Sequence, residues 1–240
     1  MGGFDVPANR FIESLSSADA AALQPHLRRR ILARDDVIAR EGAPIDHVYL
    51  PLNAILSVVA VMGDGRQVET RTIGFEGGHG LLHALGSPLS FERVITQVGG
   101  EVYALPLSAL AEAAATRPSL VSNIVSFAQA SLIQSAQTTA CNALHDAEQR
   151  LCRWLLMTRD RLGAEVLPLT QEHLSIMVGV QRTTVTAIAG ALQARGVVAY
   201  SRGKIRITDT AAICAIACEC YASIDRGVDL MVGAHEAVPG

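Results

Sequence analysis

The sequence predicts an α+β chain with a jelly-roll-like N-terminal β-roll, a long central helix and a C-terminal winged helix-turn-helix. Three observations carry this expectation. Residues 30–106 hold short β-prone runs separated by glycine-rich turns. A long, lightly charged stretch opens at Pro118. Residues 170–208, TQEHLSIMVGVQRTTVTAIAGALQARGVVAYSRGKIRIT, read as helix, glycine turn, helix and two-stranded hairpin.

Along the chain, residues 9–27 suggest a short helical start, with Pro25 interrupting. The candidate strands are 37–38, 47–50, 54–62, 67–73, 91–97 and 101–105, with Gly42-Ala43-Pro44, Gly63-Asp64-Gly65, the glycine-rich segment 74–80 and Gly99-Gly100 between them. Regular short strands with turn signals suggest a small barrel or jelly roll, and Asp64-Gly65 is a hairpin signal. Residues 107–115 make a short helix. After Pro118, Leu120, Ile124, Phe127 and Ala128 form an apolar seam that Ser131, Ser135, Thr138 and Asn142 continue with small polar residues. Such a helix must bury itself against a second copy, against its own β-roll, or against both on different faces. Ile124, Phe127, Ser131 and Ser135 are the candidate dimer contacts. Asp146 is placed to cap a helix over 147–161, whose Leu151, Trp154 and Leu155 turn inward.

Thr170 can cap the next helix, and Glu172 in its first turn suits the helix dipole. Gly179 supplies the turn. Val185, Ile188, Ala189 and Leu192 put one face of the following helix inward, leaving Gln181, Arg182, Thr183 and Thr186 outward at its start. That is the end of a helix that meets base edges in a major groove. Arg182 suits bidentate pairing with guanine O6 and N7, worth roughly 1–3 kcal/mol of discrimination. Gly196 stops the helix. The strands 197–200 and 204–207 flank Ser201-Arg202-Gly203, placing Arg202 and Lys204 near a sugar–phosphate backbone.

Composition sets limits. The chain of 240 residues has 50% hydrophobic content and a net charge of −3, so it is no basic nucleic-acid binder as a whole. Residues 165–209 carry five cationic side chains against three acids, a local balance of +2. Residues 1–10 do not resemble a signal peptide, and the longest apolar run, 54–62, is too short to span a bilayer. A cytoplasmic location and no membrane partner follow as expectations, and five cysteines suit a reducing compartment. The sequence has no G-x-S-x-G, Walker loop or H-E-x-x-H, so no enzyme is expected and no catalytic residue is assigned.

Cys214, Cys218 and Cys220 invite a metal reading. On one helix, however, Cys214 and Cys218 share a face and Cys220 points away, awkward for a tetrahedral ion. Small buried residues are the favoured reading, with a reversible thiol switch as the sharper alternative. His79 and His83, four apart, follow glycines in an expected loop, which argues against haem. Cys141 and His145 share a helix face and are read as packing residues. No metal or other cofactor is expected.

The whole order resembles the Crp/Fnr family of bacterial transcription regulators over residues 9–216, most closely over 170–192. EGAPIDHVYLPLNAILSVV (41–59) looks like the family's first strands and GFEGGHG (74–80) like its central turn. CNALHDAEQRLCRWLLMTRD (141–160) resembles a subgroup without an assigned effector. The resemblance implies a β-roll sensor domain at 9–117, a dimerisation helix at 118–145, a winged helix-turn-helix at 146–216 and a tail at 217–240. It implies a homodimer on double-stranded, pseudo-palindromic DNA, contact with RNA polymerase, an unidentified small-molecule effector and a hinge at Asp146. Gln181, Thr184 and Arg202 match the family's phosphate-contacting positions; Thr170, Thr183, Thr186 and Lys204 complete the expected DNA-binding set. The candidate effector residues are Gly78, His79, Arg93 and Thr138.

The departures matter equally. Where cyclic-nucleotide binders have Gly-Glu for the ribose and Arg-Ser or Arg-Thr for the phosphate, this chain has Gly77-Gly78-His79-Gly80 and Glu92-Arg93-Val94. A cyclic nucleotide would lose a 2′-OH acceptor and a phosphate donor, which argues against cyclic AMP. At the recognition helix Thr183 and Ala187 replace two residues that read the family's familiar half-site, so the operator is not inherited. A regulatory or scaffold module whose winged helix binds protein is the reading from a different class.

Overall fold

A computed structural model describes residues 9–201 and 203–232. They fall into two units. One holds 9–58, 72–134 and 226–232; the other holds 59–71 and 135–225.

The first unit begins with two short helices, α1 (Arg10–Glu13) and α2 (Ser17–Leu23), each started by a side chain. Asn9 accepts from the Phe11 N–H and Ser16 accepts from the Asp19 N–H. Asn9 is buried, and its Nδ2 donates to the carbonyls of Pro51 and Gly77 at 2.9 and 2.7 Å, fastening the start of the chain to the glycine turn. Seven strands follow: β1 (Arg28–Leu32), β2 (Val37–Ala39), β3 (His47–Pro51), β4 (Ile55–Val61), β5 (Gln67–Ile73), β6 (Arg93–Val98) and β7 (Gly100–Pro106). They form two sheets of order β1-β7-β3 and β2-β6-β4-β5, and β7 pairs antiparallel with both β1 and β3. One core gathers Val48, Leu50, Leu105, Leu110, Leu120 and Ile124, and a second gathers Leu56, Val58, Ile73, Val94 and Val102.

Helix α3 (Leu107–Ala114) leads to α4 (Pro118–Leu144). The start of α4 is held by a buried carboxylate: Ser119 Oγ and Ser16 Oγ donate to Asp19 Oδ2 at 2.6 and 2.8 Å, and Arg117 Nε lies 3.6 Å from Oδ1. Ile124 is fully buried in the unit's own core, and Phe127 packs against both cores. Ser131 is buried and Ser135 half-buried. Of the expected dimer residues, Ile124 and Ser131 are thus buried within the chain, and Phe127 and Ser135 are half-buried. The exposed face is a different one: Ser122, Val125, Gln129, Leu132, Ala136, Thr139 and Ala143, at alternating intervals of three and four.

The second unit contains the β4–β5 hairpin tip, the later part of α4, α5 (Ala147–Leu162), β8 (Val166–Leu167), α6 (Gln171–Val178), α7 (Arg182–Ala194), β9 (Val198–Ser201), β10 (Lys204–Ile207), α8 (Thr210–Ile216) and the start of α9 (Cys220–Val232). Asp146 caps α5 through a capping box with Gln149, and Gly163 ends the helix at φ +60°. Its buried face includes Leu151, Trp154, Leu155 and Leu156. Trp154 Nε1 donates to Glu69 Oε1 at 2.8 Å, with both groups buried, which ties the hairpin tip to α5.

Several elements differ from the sequence expectations. Strand β1 lies outside the candidate strands, because three consecutive arginines mask it. It is an edge strand with only Leu32 buried, where charge is tolerated and useful. The two-residue β8 adds a third strand to the wing sheet, of order β8-β10-β9. The segment read as a tail from 217 carries α9, whose Ile224 and Val228 are buried, and Arg10 Nη1 meets Asp229 Oδ1 at 2.6 Å. Residues 59–71 belong to the helical unit, and α4 contributes to both.

Replacing Trp154 with Phe removes the only N–H that the ring offers Glu69 and leaves a buried carboxylate short of a donor. The expected loss is about 1–3 kcal/mol of unfolding free energy. Chemical denaturation checks it, and an unchanged midpoint would show that the bond contributes nothing.

Candidate nucleic-acid interface

Thr170 Oγ1 accepts from the His173 backbone N–H at 3.2 Å and lies 2.7 Å from His173 Nδ1, so its hydroxyl is engaged in starting α6. Leu174, Met177 and Val178 bury one face of that helix. Gly179 turns the chain at φ +68°, and the Cβ of any other residue there would stand 2.9 Å from Val68 Cγ2. Glycine is required twice over, by the left-handed conformation and by the close approach of the hairpin tip.

Helix α7 opens at Gln181 with no side-chain cap, so its first N–H groups keep the partial positive charge of a helix start. Val185, Ala189 and Leu192 are buried, and this fixes which side of the helix turns outward. Gln181, Arg182, Thr183 and Thr186 are exposed and Thr184 is half-buried. Thr186 Oγ1 donates to Gln171 Oε1 at 2.8 Å and lies 3.0 Å from the Arg182 carbonyl, joining α7 to α6. Beyond α7, Gly196 has φ +72° and Tyr200 N donates to Gln193 Oε1 at 2.9 Å, holding β9 against the helix. In the wing Lys204 pairs with Ser201 across the hairpin, and Gly203 turns it at φ +78°. Lys204 and Arg206 alternate with buried Ile205 and Ile207, so both cations stand on the exposed side of β10. Arg206 is an addition to the residues expected from the sequence, although the alternation K-I-R-I signals it. Arg202 lies outside the described residues.

This arrangement is an uncapped helix start bearing Gln181, Arg182 and Thr183, beside a hairpin with two exposed cations. Residues 149–216 match the family model of the Crp-like helix-turn-helix domain. No curated protein matches the sequence. Among solved structures, FixK2 from Bradyrhizobium japonicum is similar at TM-score 0.69 and 17% identity, covering 80% of this chain and 98% of that one. The c-di-GMP-responsive global regulator CLP of Xanthomonas campestris is similar at TM-score 0.67 and 18% identity, covering 81% and 100%. A Crp/Fnr-family transcriptional regulator from Thermus thermophilus is similar at TM-score 0.64 and 21% identity, covering 79% and 98%. The chain thus has the fold of Crp/Fnr transcription regulators, and its Crp-like domain spans the elements just described. No helix among the described residues is long and apolar enough to cross a membrane.

The residues expected at the effector site are distributed as follows. Gly78 is buried, and a Cβ on it would overlap Leu50. A Cβ on Gly77 would overlap the Phe127 ring, so α4 is seated directly on this turn. His79 is buried and pairs through its backbone with Tyr49, its ring centroid 5.8 Å from that of His83. Arg93 is half-buried at the start of β6, and its Nε has no hydrogen-bond partner. Thr138 is buried and counted with the second unit. An apolar cleft of 340 Å³ opens in the first unit between Phe11, Leu15, Leu23, Leu50 and Tyr103, and none of the four residues lines it.

The cysteines fall otherwise than their spacing suggested. Cys214 is exposed on α8, apart from Cys218 and Cys220. Those two join Cys141 and His145, with one donor atom from each within 4.8 Å of all the others. The sequence reading places residues 214–220 on one helix. In the fold α8 ends at Ile216 and α9 starts at Cys220, so Cys218 sits in the break and both thiols can face α4. The contact between the Cys141 and Cys218 sulfurs, at 3.5 Å, holds Cys141 below the ordinary thiol value and pushes Cys218 above it. Burial raises Cys220, and it takes Cys152, outside the group, up to about 12.

Gly179→Ala is expected to cost at least about 1–2 kcal/mol, the left-handed penalty for an L-residue, before any displacement of Val68. Thermal unfolding of the variant reads this directly, and an unaltered transition would mean that the turn relaxes freely.

Proposed function

We propose that this chain is a sequence-specific DNA-binding transcription regulator of the Crp/Fnr type, acting as a homodimer on a pseudo-palindromic operator. The observation that carries the reading is the start of α7. Its inward face is fully used by the core, while Gln181, Arg182 and Thr183 stand exposed with no intramolecular task, beside the cations of the wing. Arg182 reads guanine in the major groove, Thr183 and Ala187 touch a thymine methyl, and the helix start with Gln181, Thr184, Lys204 and Arg206 engages phosphates. The hydroxyls of Thr170 and Thr186 act mainly in seating α6 and α7. The protein works in the cytoplasm and contacts RNA polymerase, as the family resemblance implies.

The dimer is formed by α4. Its exposed seam of Ser122, Val125, Gln129, Leu132, Ala136, Thr139 and Ala143 follows the 3.5-residue repeat of a two-stranded coiled coil. Leu132 is 70% and Val125 41% exposed within a single chain, and small neighbours allow close approach. The effector, where there is one, is not cyclic AMP. Besides the lack of an acid in Gly77-Gly78-His79-Gly80, the packing of Phe127 on Gly77 supports this, since it occupies the ground between turn and helix. Asp146, as the cap of α5, is the point about which the Crp-like domain is reoriented.

Selection of duplexes from a random pool, followed by anisotropy titration over a range of salt, tests the reading. A palindromic motif is expected, and Arg182→Ala should weaken binding by about 1–3 kcal/mol and flatten the preference at one base pair of each half-site. Arg206→Ala should weaken all duplexes alike and lower the salt slope by about one. Failure to enrich any duplex at low salt would sink the proposal in favour of a protein-binding winged helix.

The dimer seam has its own test. Leu132→Glu should sediment as a monomer at concentrations where the parent chain is a dimer, with helix content retained. A variant that remains dimeric would place the interface elsewhere.

A further inference from the structure

The group of Cys141, His145, Cys218 and Cys220 stands apart from the DNA-reading surface, and its three cysteines form a small buried cluster of their own. We propose that these four residues form a mononuclear metal site of the Cys3His class, suited to a thiophilic divalent ion and to zinc above all. The Cys141 and Cys218 sulfurs are 3.5 Å apart, Cys220 Sγ is 3.6 Å from His145 Nδ1, and no pair of donors exceeds 4.8 Å. A tetrahedral zinc, with metal–sulfur bonds of about 2.3 Å and metal–nitrogen bonds of about 2.0–2.1 Å, sets its donors roughly 3.5–3.8 Å apart. Slight contraction of the group completes such a shell, whereas a sulfide-bridged iron cluster does not fit among donors this close.

Three neighbours fit the site and are otherwise hard to explain. His145 turns Nδ1 toward Cys220 and holds Nε2 3.2 Å from Glu219 Oε1. A carboxylate on the far nitrogen fixes the tautomer that leaves Nδ1 free to ligate. Gln137 Nε2 donates to Cys220 Sγ at 3.0 Å, a bond that favours sulfur as thiolate. Arg153 is only 4% exposed, its Nε has no hydrogen-bond partner, and its Nη1 rests on the Met157 sulfur at 3.4 Å. No carboxylate pairs with it among the described residues. A buried cation without a counter-charge is costly. Three thiolates around a divalent ion carry one net negative charge, which would supply that counter-charge. The thiol protons leave to solvent when the metal enters.

A Cys141–Cys218 disulfide is the competing use of the same thiols. It would leave Cys220, His145 and the Glu219 contact without a role, and the metal uses them all. The position gives the ion a task. Cys141 and His145 are at the end of α4, directly before the Asp146 cap, while Cys218 and Cys220 lie just past the Crp-like domain. The metal therefore closes a loop containing that entire domain and pins its two ends together.

Metal analysis and cobalt titration of the full-length, fully reduced protein test the site. About one zinc per chain is expected after preparation with zinc present. Cobalt should give the intense visible bands of tetrahedral coordination, together with thiolate-to-cobalt charge transfer. Cys218→Ser and His145→Ala should lose or shift those bands, while Cys214→Ser should keep them. Glu219→Gln, an exposed change with little bearing on folding, should weaken metal affinity by about ten- to a hundredfold. Protein with all five thiols free that takes up no cobalt overturns the proposal. Bands that persist unchanged in Cys218→Ser overturn it equally, as does isolation of a Cys141–Cys218 disulfide that binds no cobalt after reduction.

Discussion

The fold depends on one constraint, which is that α4 has no charged residue anywhere in its 27 positions. At 1.5 Å per residue it is about 40 Å long, and no side chain along that length carries a charge. Its inner row, from Leu120 and Ile124 to Ala130, Gln134 and Thr138, is buried. Its outer row is small and apolar enough to be covered as well. A helix of this kind is stable in water only when packing supplies what isolated helix formation lacks. Both units draw on it, the first for a wall of its core and the second for the donors at its last turns. The packing is tight enough that side-chain size is dictated from outside the helix. Phe127 lies directly on Gly77, and Ile133 Cγ2 stands 2.7 Å from where a Cβ on Gly227 would be.

The Crp-like domain applies the same economy in a smaller space. The inward faces of α5, α6 and α7 meet around Trp154, Leu155, Leu174, Val185 and Leu192, all buried. What remains outside on α7 is small or polar: Arg182, Thr183, Thr186 and Gln193 among Ala187, Gly190, Ala191 and Ala194. Two glycines with positive φ, Gly179 and Gly196, fix the directions in which α7 begins and ends. The side chains of Thr186, Gln171 and Gln193 then lock α7 to α6 and to β9 through hydrogen bonds of 2.8 and 2.9 Å. Arg182 is thereby presented from a helix fastened on two sides, as the proposed reading of a base edge requires.

The helix-turn-helix was legible in the sequence because each of its rules is local. Thr170 caps four residues from Leu174, Gly179 sits at the turn, and the apolar residues of α7 recur at helical spacing. The strands were legible for the same reason, except where composition contradicts position. Arg28-Arg29-Arg30 form an edge strand that needs only Leu32 inside, and no propensity argument finds a strand in three arginines. On α4, Ile124 and Phe127 pack on the cores nearer at hand, while Leu132, of similar size, stands exposed. The outer seam, with Ser, Gln, Ala and Thr among Val125 and Leu132, gives little hydrophobic contrast and shows only in its spacing of three and four. Cys141 and Cys218 are 77 positions apart. Their meeting depends on how α4 ends and where α8 stops, and neither is written in the local pattern of either cysteine.

Charge arithmetic explains why the proposed regulator needs two copies. A Crp-like domain whose residues 165–209 balance at only +2, in a chain of −3 overall, releases few counterions from DNA. In the proposed regulator one such domain alone would bind weakly at physiological salt, and its sequence reading would be masked by non-specific sites. Two domains fixed on the proposed α4 pair would turn the second contact into an intramolecular event, which multiplies affinity without adding charge. The gain depends on the geometry between the half-sites, since domains that cannot engage together lose it entirely. In the proposed regulator, an effector or metal acting near the end of α4 would then have to alter only the setting of the two copies of the domain, leaving the proposed base contacts intact, to move the protein between bound and free DNA.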